Sequence, residues 1–211
     1  IPSGVKAGTV YSQKPMDSTG QFTFTRASEA TRLVDGVVTK VRTNSILQSN
    51  DFSDASWLNT NISTTSGQSG YDGTSNAWLI AATSSGGNIR QLSSFSGVAA
   101  YSFYVKAGTS SWCRLRLDSN PSPDVNLWVN LSDGSIGANN AIAPYVEDVG
   151  NGWWRIVSQN NTTDLNNVRI QPADSNGGTT TSGSIYIQSA QLEQGTVATD
   201  YIATTTVAVS E

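Results

Sequence analysis

The stretch Trp112-Cys113-Arg114-Leu115-Arg116-Leu117-Asp118 alternates between two kinds of residue at every step. Successive side chains of an extended chain point to opposite faces, so Cys113, Leu115 and Leu117 share one face and Trp112, Arg114, Arg116 and Asp118 share the other. The apolar face is predicted to point inward. The opposite face carries an indole beside two guanidiniums, an unusual set for a surface that only meets water.

The same phrase recurs downstream. Val125, Leu127, Val129 and Leu131 are expected inward, which turns Asn126, Trp128 and Asn130 outward. Val168 and Ile170 inward leave Arg169 and Gln171 outward, and Tyr101, Phe103 and Val105 inward leave Tyr104 and Lys106 outward. If these strands share a sheet, the outward residues compose an aromatic, amide-rich platform.

Working outward from these runs, strands are predicted at Ala77–Ala81, Tyr101–Ala107, Trp112–Asp118, Val125–Leu131, Trp153–Gln159, Val168–Gln171 and Ser184–Glu193. Turn clusters separate them: Ser84-Ser85-Gly86-Gly87, Ser132-Asp133-Gly134-Ser135, Gly150-Asn151-Gly152 and Asn176-Gly177-Gly178. No window sustains a helical apolar period for three turns. The fold class is therefore read as all-β, a jelly-roll-like β-sandwich over 44–211 with an extended N-terminal arm over 1–43. Within the arm, brief strands are expected at Val5–Tyr11, Phe22–Arg26 and Val37–Val41, with a turn at Asp35-Gly36.

Composition limits the function classes. Only 13% of the 211 residues are charged, about half the usual ~25%, and the net charge is -4. No sequential Lys/Arg cluster exceeds the Arg114/Arg116 pair, which argues against nucleic acid as a partner. The chain has no histidine and a single cysteine, so neither a usual zinc site nor an intrachain disulfide is expected. No apolar run of membrane-spanning length occurs, so membrane insertion is not expected.

At this point several ordered phrases resemble a known family. They are Gly20–Arg32, Arg42-Thr43-Asn44 leading to Gln48–Ser53 and Trp57, Tyr101–Gly108, Gly150–Ile156, and Ala190–Gly195 running on to Asp200-Tyr201-Ile202. In this order they resemble the jelly-roll domains of bacteriophage head and tail fibres, which are similar to family 4 or 9 type carbohydrate-binding modules. The resemblance implies a virion surface protein, either a phage fibre or a capsid decoration. Its implied partners are other virion proteins and glycans on the host surface. A homotrimer is the expected assembly, because the arm holds few large aliphatics and exchanged arms would bury Phe22, Phe24 and Val37. The alternative is a carbohydrate-binding module appended to a secreted polysaccharide-degrading enzyme.

The candidate glycan-binding residues are Trp112, Arg114, Trp128, Asn130, Arg169 and Gln171. An outward indole offers its face to a pyranose ring while amides and guanidiniums meet the hydroxyls. Burial of Trp112 and Trp128 in a subunit interface, or ordinary edge packing, stands beside that reading. Under the glycan reading, Trp128→Ala is expected to weaken binding and leave stability nearly unchanged. Trp57, Trp78 and one of Trp153-Trp154 are expected to be packing residues.

No catalytic role is expected. Without histidine the tools would be carboxylates, and Asp118, Asp124, Glu147, Asp148 and Glu193 suggest no acid/base pair. No cofactor is expected either. A structural calcium ion would find oxygen ligands among these acids, but no EF-hand-like spacing assigns one.

Overall fold

The computed structural model of the 211-residue chain describes residues 4–6, 9–11, 31–34, 37–119 and 123–210. The chain forms two compact units, Ile1–Val41 and Arg42–Glu211.

In the first unit β1 (Gly4–Lys6) pairs antiparallel with β2 (Thr9–Tyr11), and β3 (Thr31–Val34) with β4 (Val37–Lys40). The single strand expected over Val5–Tyr11 is therefore a hairpin, with Val5 opposite Val10. Val34 opposes Val37 in the second pair, and the turn expected at Asp35-Gly36 lies outside the described residues. The strand expected at Phe22–Arg26 lies outside the described residues.

The second unit is all-β. A short pair, β5 (Thr43–Asn44) with β16 (Val209–Ser210), joins its two ends. The remaining strands form one antiparallel sheet of ten. They are β6 (Trp57–Thr60), β7 (Ile62–Gln68), β8 (Ala77–Ala82), β9 (Asn88–Ala107), β10 (Trp112–Ser119), β11 (Val125–Asn130), β12 (Ile136–Asn139), β13 (Tyr145–Gly150), β14 (Trp153–Ala173) and β15 (Ser184–Gln194).

Two of these strands make a sandwich out of one sheet. β9 and β14 run for 20 and 21 residues, several times the usual strand length, and pair with each other from Lys106–Trp153 to Ile89–Ile170. The ribbon they form turns a corner where Gly97 takes φ +102° and where the β14 register shifts between Thr162 and Asn167. Beyond the corner on one side β10, β11 and β12 extend the layer from β14, while β6 lies on β9. On the other side β15, β8 and β7 extend from β9, and β13 closes the edge on β14. Trp153–Gln159 and Val168–Gln171, predicted as separate strands, are thus the two ends of β14, one in each layer.

The layers meet through a single apolar core. Cys113, Leu115, Leu117, Leu127, Val129, Val168 and Ile170 come from the first layer, and Ile80, Tyr101, Phe103, Val105, Ile156, Ile185 and Ile187 from the second. Each of these is fully excluded from solvent, as alternation requires. Trp57 joins this core, Trp78 and Trp154 pack partly buried against it, and Trp153 is buried on the opposite side of its strand beneath Tyr71.

Two of the phrases that carried the resemblance, the one ending at Asn44 and the one running from Ala190 to Ile202, form a polar clasp at the rim. Asn44 is completely buried; its Oδ1 accepts from the backbone amides of Ile46 and Leu192, and its Nδ2 donates to the carbonyls of Ala190 and Ile202. Gln191 Oε1 accepts from Ile202 N, and Gln191 Nε2 donates to Glu193. The Glu193 carboxylate in turn accepts from both the amide and the hydroxyl of Thr199. Buried polar groups satisfied this fully hold backbone in place without a desolvation penalty. The recurring Asn, Gln and Glu of these phrases therefore secure the segments flanking β15.

Candidate functional site

The outward residues of β11, β10 and β14 fall on one continuous face of the first layer. In register, Asn130 stands opposite Trp112, and Trp112 opposite Ala173. The next row is Trp128, Arg114 and Gln171. The third is Asn126, Arg116, Arg169, Arg90 and Leu58, crossing five strands. The fourth is Asp118, Asn167 and Leu92. Neighbouring strands lie ~4.8 Å apart, so the third row spans roughly 19 Å.

By register all six predicted site residues, Trp112, Arg114, Trp128, Asn130, Arg169 and Gln171, belong to this face, but Gln171, expected outward to meet a ligand, is only 3% exposed and is covered, while the other five stay half-exposed. Tyr104 and Lys106 do not belong to it. They sit on the part of β9 that belongs to the second layer, where Tyr104 stacks on Tyr71 at 3.7 Å with the rings nearly parallel and Arg155 lies 5.5 Å from its ring. The expected platform therefore excludes them, because β9 changes layers between Arg90 and Tyr104.

Both tryptophans have partners within the chain. The Arg114 guanidinium lies 4.6 Å from the Trp128 ring centroid, and Trp128 Nε1 donates to the Gly178 carbonyl at 2.7 Å. The loop between β14 and β15 is thereby tied to the face. Asn176 of the same loop accepts from the Ala138 amide, and a Cβ at Gly137 would meet Asn176 and the Trp112 ring. Only glycine fits there, which lets β12 close over the end of the Trp112 indole. Both indoles stay half-buried.

Charge is concentrated on the same face. Arg169 pairs with Asp118, and Arg116 reaches both Asp118 and Asp124, its Nε lying 2.5 Å from Asp118 Oδ1. Arg114 turns its Nε to Asn126 Oδ1 at 3.0 Å. Burial, and then repulsion from Arg116 and Arg169, pushes the Arg114 guanidinium down to about 10. It remains charged at neutral pH.

Several polar atoms here are buried and, among the described residues, lack a hydrogen-bond partner: Asn88 Oδ1, Arg90 Nε, Asn167 Oδ1 and Arg169 Nε. Others, Tyr101 Oη, Ser102 Oγ, Arg155 Nε and Ser158 Oγ, lie in the second layer, so the unpaired atoms do not single out this face. On it, Leu58 and Leu92 are 37% and 65% exposed. They line an open cleft of about 560 Å³ together with Gln91 and Phe95.

Sequence reasoning missed Arg90, Asn88, Leu58 and Leu92. The run Asn88-Ile89-Arg90-Gln91-Leu92 lacks clean alternation, because Gln91 points inward to bond both the amide and the carbonyl of Leu47. Ile89 alone marked the inward side.

Four of the five carboxylates considered for catalysis, all but Glu147, are committed to partners within the chain, and Asp118 and Asp124 share the Arg116 guanidinium. Asp118 and Asp124 are held by arginines, Glu193 is buried in the rim clasp, and Asp148 accepts from the Gly150 amide in a turn. Among the described residues no group of three or more His, Cys, Asp or Glu side chains converges as a metal site would require.

No protein-family model and no curated protein matches this chain. Solved structures do match in part. A point mutant of a carbohydrate-binding module of family 29 is 9% identical, with a TM-score of 0.45, over 77% of this chain and 98% of that one. The CBM22-1–GH10 modules of Clostridium thermocellum endo-1,4-beta-D-xylanase 10B, complexed with xylohexaose, are 14% identical with a TM-score of 0.42. That match covers 75% of this chain and 29% of that one. The enzymatically active domain of tailspike protein 4 of bacteriophage CBA120 is 14% identical with a TM-score of 0.39, over 71% of this chain and 21% of that one.

Proposed function

We propose that this chain is a non-catalytic carbohydrate-binding module, that it holds its glycan on the outer face of the first layer, and that it is displayed on a phage particle as a fibre or capsid-decorating domain. The observation that carries the glycan reading is the face itself. Half-buried indoles and guanidiniums stand there in register with Asn126 and Asn130 on three adjacent strands. Sugars are recognised by such a combination of apolar platforms and fixed hydrogen-bonding groups. The engagement of Asp118, Asp124, Asp148 and Glu193 in structural contacts supports the absence of catalysis. The virion setting rests on the ordered phrases of the sequence.

The test of the glycan reading is affinity electrophoresis of the full chain through a panel of polysaccharides, with changes on each layer. Asn130→Ala should weaken whichever interaction is found, and Lys106→Ala on the second layer should not. The reverse outcome would move the site off this face. Mass spectrometry of purified particles tests the setting, and absence of the chain from them would reject it.

A further inference from the structure

We infer that the glycan held on the first-layer face is anionic, and that its carboxylate or sulfate group seats between the guanidiniums of Arg90 and Arg169. The inference rests on the reading of that face as the glycan site, and it deepens that reading by naming the ligand's charge.

The basis is a concentration of charge that the sequence disperses. Residues 42–211 contain seven cationic side chains: Arg42, Arg90, Lys106, Arg114, Arg116, Arg155 and Arg169. Four of them, Arg90, Arg114, Arg116 and Arg169, share one sheet face, three as direct cross-strand neighbours. The described carboxylates paired with them are two, Asp118 and Asp124. Among the described residues the face therefore carries two more arginines than carboxylates paired with them, within a chain whose net charge is -4.

The four arginines differ in how far they are committed. Arg116 is held by two carboxylates and Arg114 by Asn126 and the Trp128 ring. Arg169 has Asp118 on one side and a buried Nε without a partner on the other. Arg90 has no ion pair among the described residues, and its Nε is likewise buried and unpartnered. Like charges placed directly opposite on adjacent strands repel, so an anion between Arg90 and Arg169 relieves that repulsion and takes charge-assisted hydrogen bonds from both.

The surroundings suit a sugar better than a bare ion. Leu58 and Leu92 flank Arg90 on the same face and supply an apolar contact for C–H groups of a pyranose. Nucleic acid is disfavoured: two arginines beyond the number of paired carboxylates, within an acidic chain, neutralise few phosphates.

The experiment is isothermal titration of the full chain with four polymers in matched pairs: polygalacturonate against its methyl-esterified form, and dextran sulfate against dextran. The inference expects polygalacturonate or dextran sulfate to bind at least about tenfold more tightly than its neutral counterpart, with affinity falling as salt is added. The pair that responds distinguishes a carboxylate from a sulfate ligand. Arg90→Gln and Arg169→Gln should each lower that affinity about tenfold or more, on the scale of a lost charge-assisted contact, with an unchanged melting temperature for Arg90→Gln. Equal binding of charged and neutral partners overturns the inference and leaves the glycan site standing. Binding of none of the four polymers overturns both. Duplex DNA bound as tightly as the charged polysaccharides, with the same loss in Arg90→Gln, also overturns it, because the face would then be a general polyanion surface.

Discussion

Trp128 separates a ligand platform from a structural strut, and the geometry sets what its replacement should cost. The indole N–H bond to Gly178 contributes about 0.5–1.5 kcal/mol. The Arg114 guanidinium over the ring contributes about 0.5–1 kcal/mol at a partly exposed site. Roughly 100 Å² of buried indole surface, half of a typical tryptophan, contributes about 2.5 kcal/mol more. Trp128→Ala should therefore lose about 3.5–5 kcal/mol, or on the order of 10 °C in Tm at the ~2–4 °C per kcal/mol usual for a domain of this size. The near-neutral effect expected from an outward indole is thus replaced by a large one, because the β14–β15 loop hangs on the indole nitrogen. Trp128→Phe isolates the ring from the N–H: it keeps the stacking surface, loses the Gly178 bond, and should cost about 1 kcal/mol. Calorimetry paired with glycan binding on both variants reads the two roles together. If Trp128→Ala melts with the parent, the strut argument is wrong. If both variants are destabilised in the expected order while glycan affinity stays unchanged, Trp128 does not belong to the binding face.

Further expectations concern reactivity, backbone, acid and assembly. Cys113 is fully buried, and burial pushes its thiol far above the ordinary range, so native protein should resist a thiol reagent and label only at the rate of unfolding; rapid stoichiometric labelling would contradict the packing. Gly134 takes φ +73°, and an added Cβ would lie 2.4 Å from the Trp154 ring, so Gly134→Ala should cost about 1–3 kcal/mol in chemical denaturation. Asp54 and Asp133 are held below the ordinary 3.8 by the Ser56 and Ser135 hydroxyls. The unfolded chain then binds more protons near that pH, so stability present above about 4 should fall as the medium is acidified, and a melting temperature flat from about pH 5 to about 2.5 would refute this. A homotrimer is the proposed assembly, and light scattering giving the 22.3 kDa of one chain would reject it.

The all-β class, the inward sets of β10 and β11, and the sheet face that the six candidate residues share were legible in the sequence, whereas the burial of Gln171 on that face was not. Alternation is a local property: once Leu115 and Leu117 must be buried, Arg114 and Arg116 have only one direction left. The turn clusters were legible for the same reason, since Gly134 and the Gly150-Asn151-Gly152 run supply the positive φ their reversals use. What alternation cannot report is which strands become neighbours and where a strand changes layers. Arg90 and Arg169 stand 79 positions apart in sequence and face each other only through the β9–β14 register. Tyr104 obeys the same alternation as Arg90 yet lies on another surface, because β9 turns a corner at Gly97. The half-buried state of Trp128 depends on Gly178, fifty residues away along the chain. A sequence with no consecutive cationic cluster thus folds into a sheet face with four arginines, because pairing between distant strands, which local pattern does not encode, decides which charges meet.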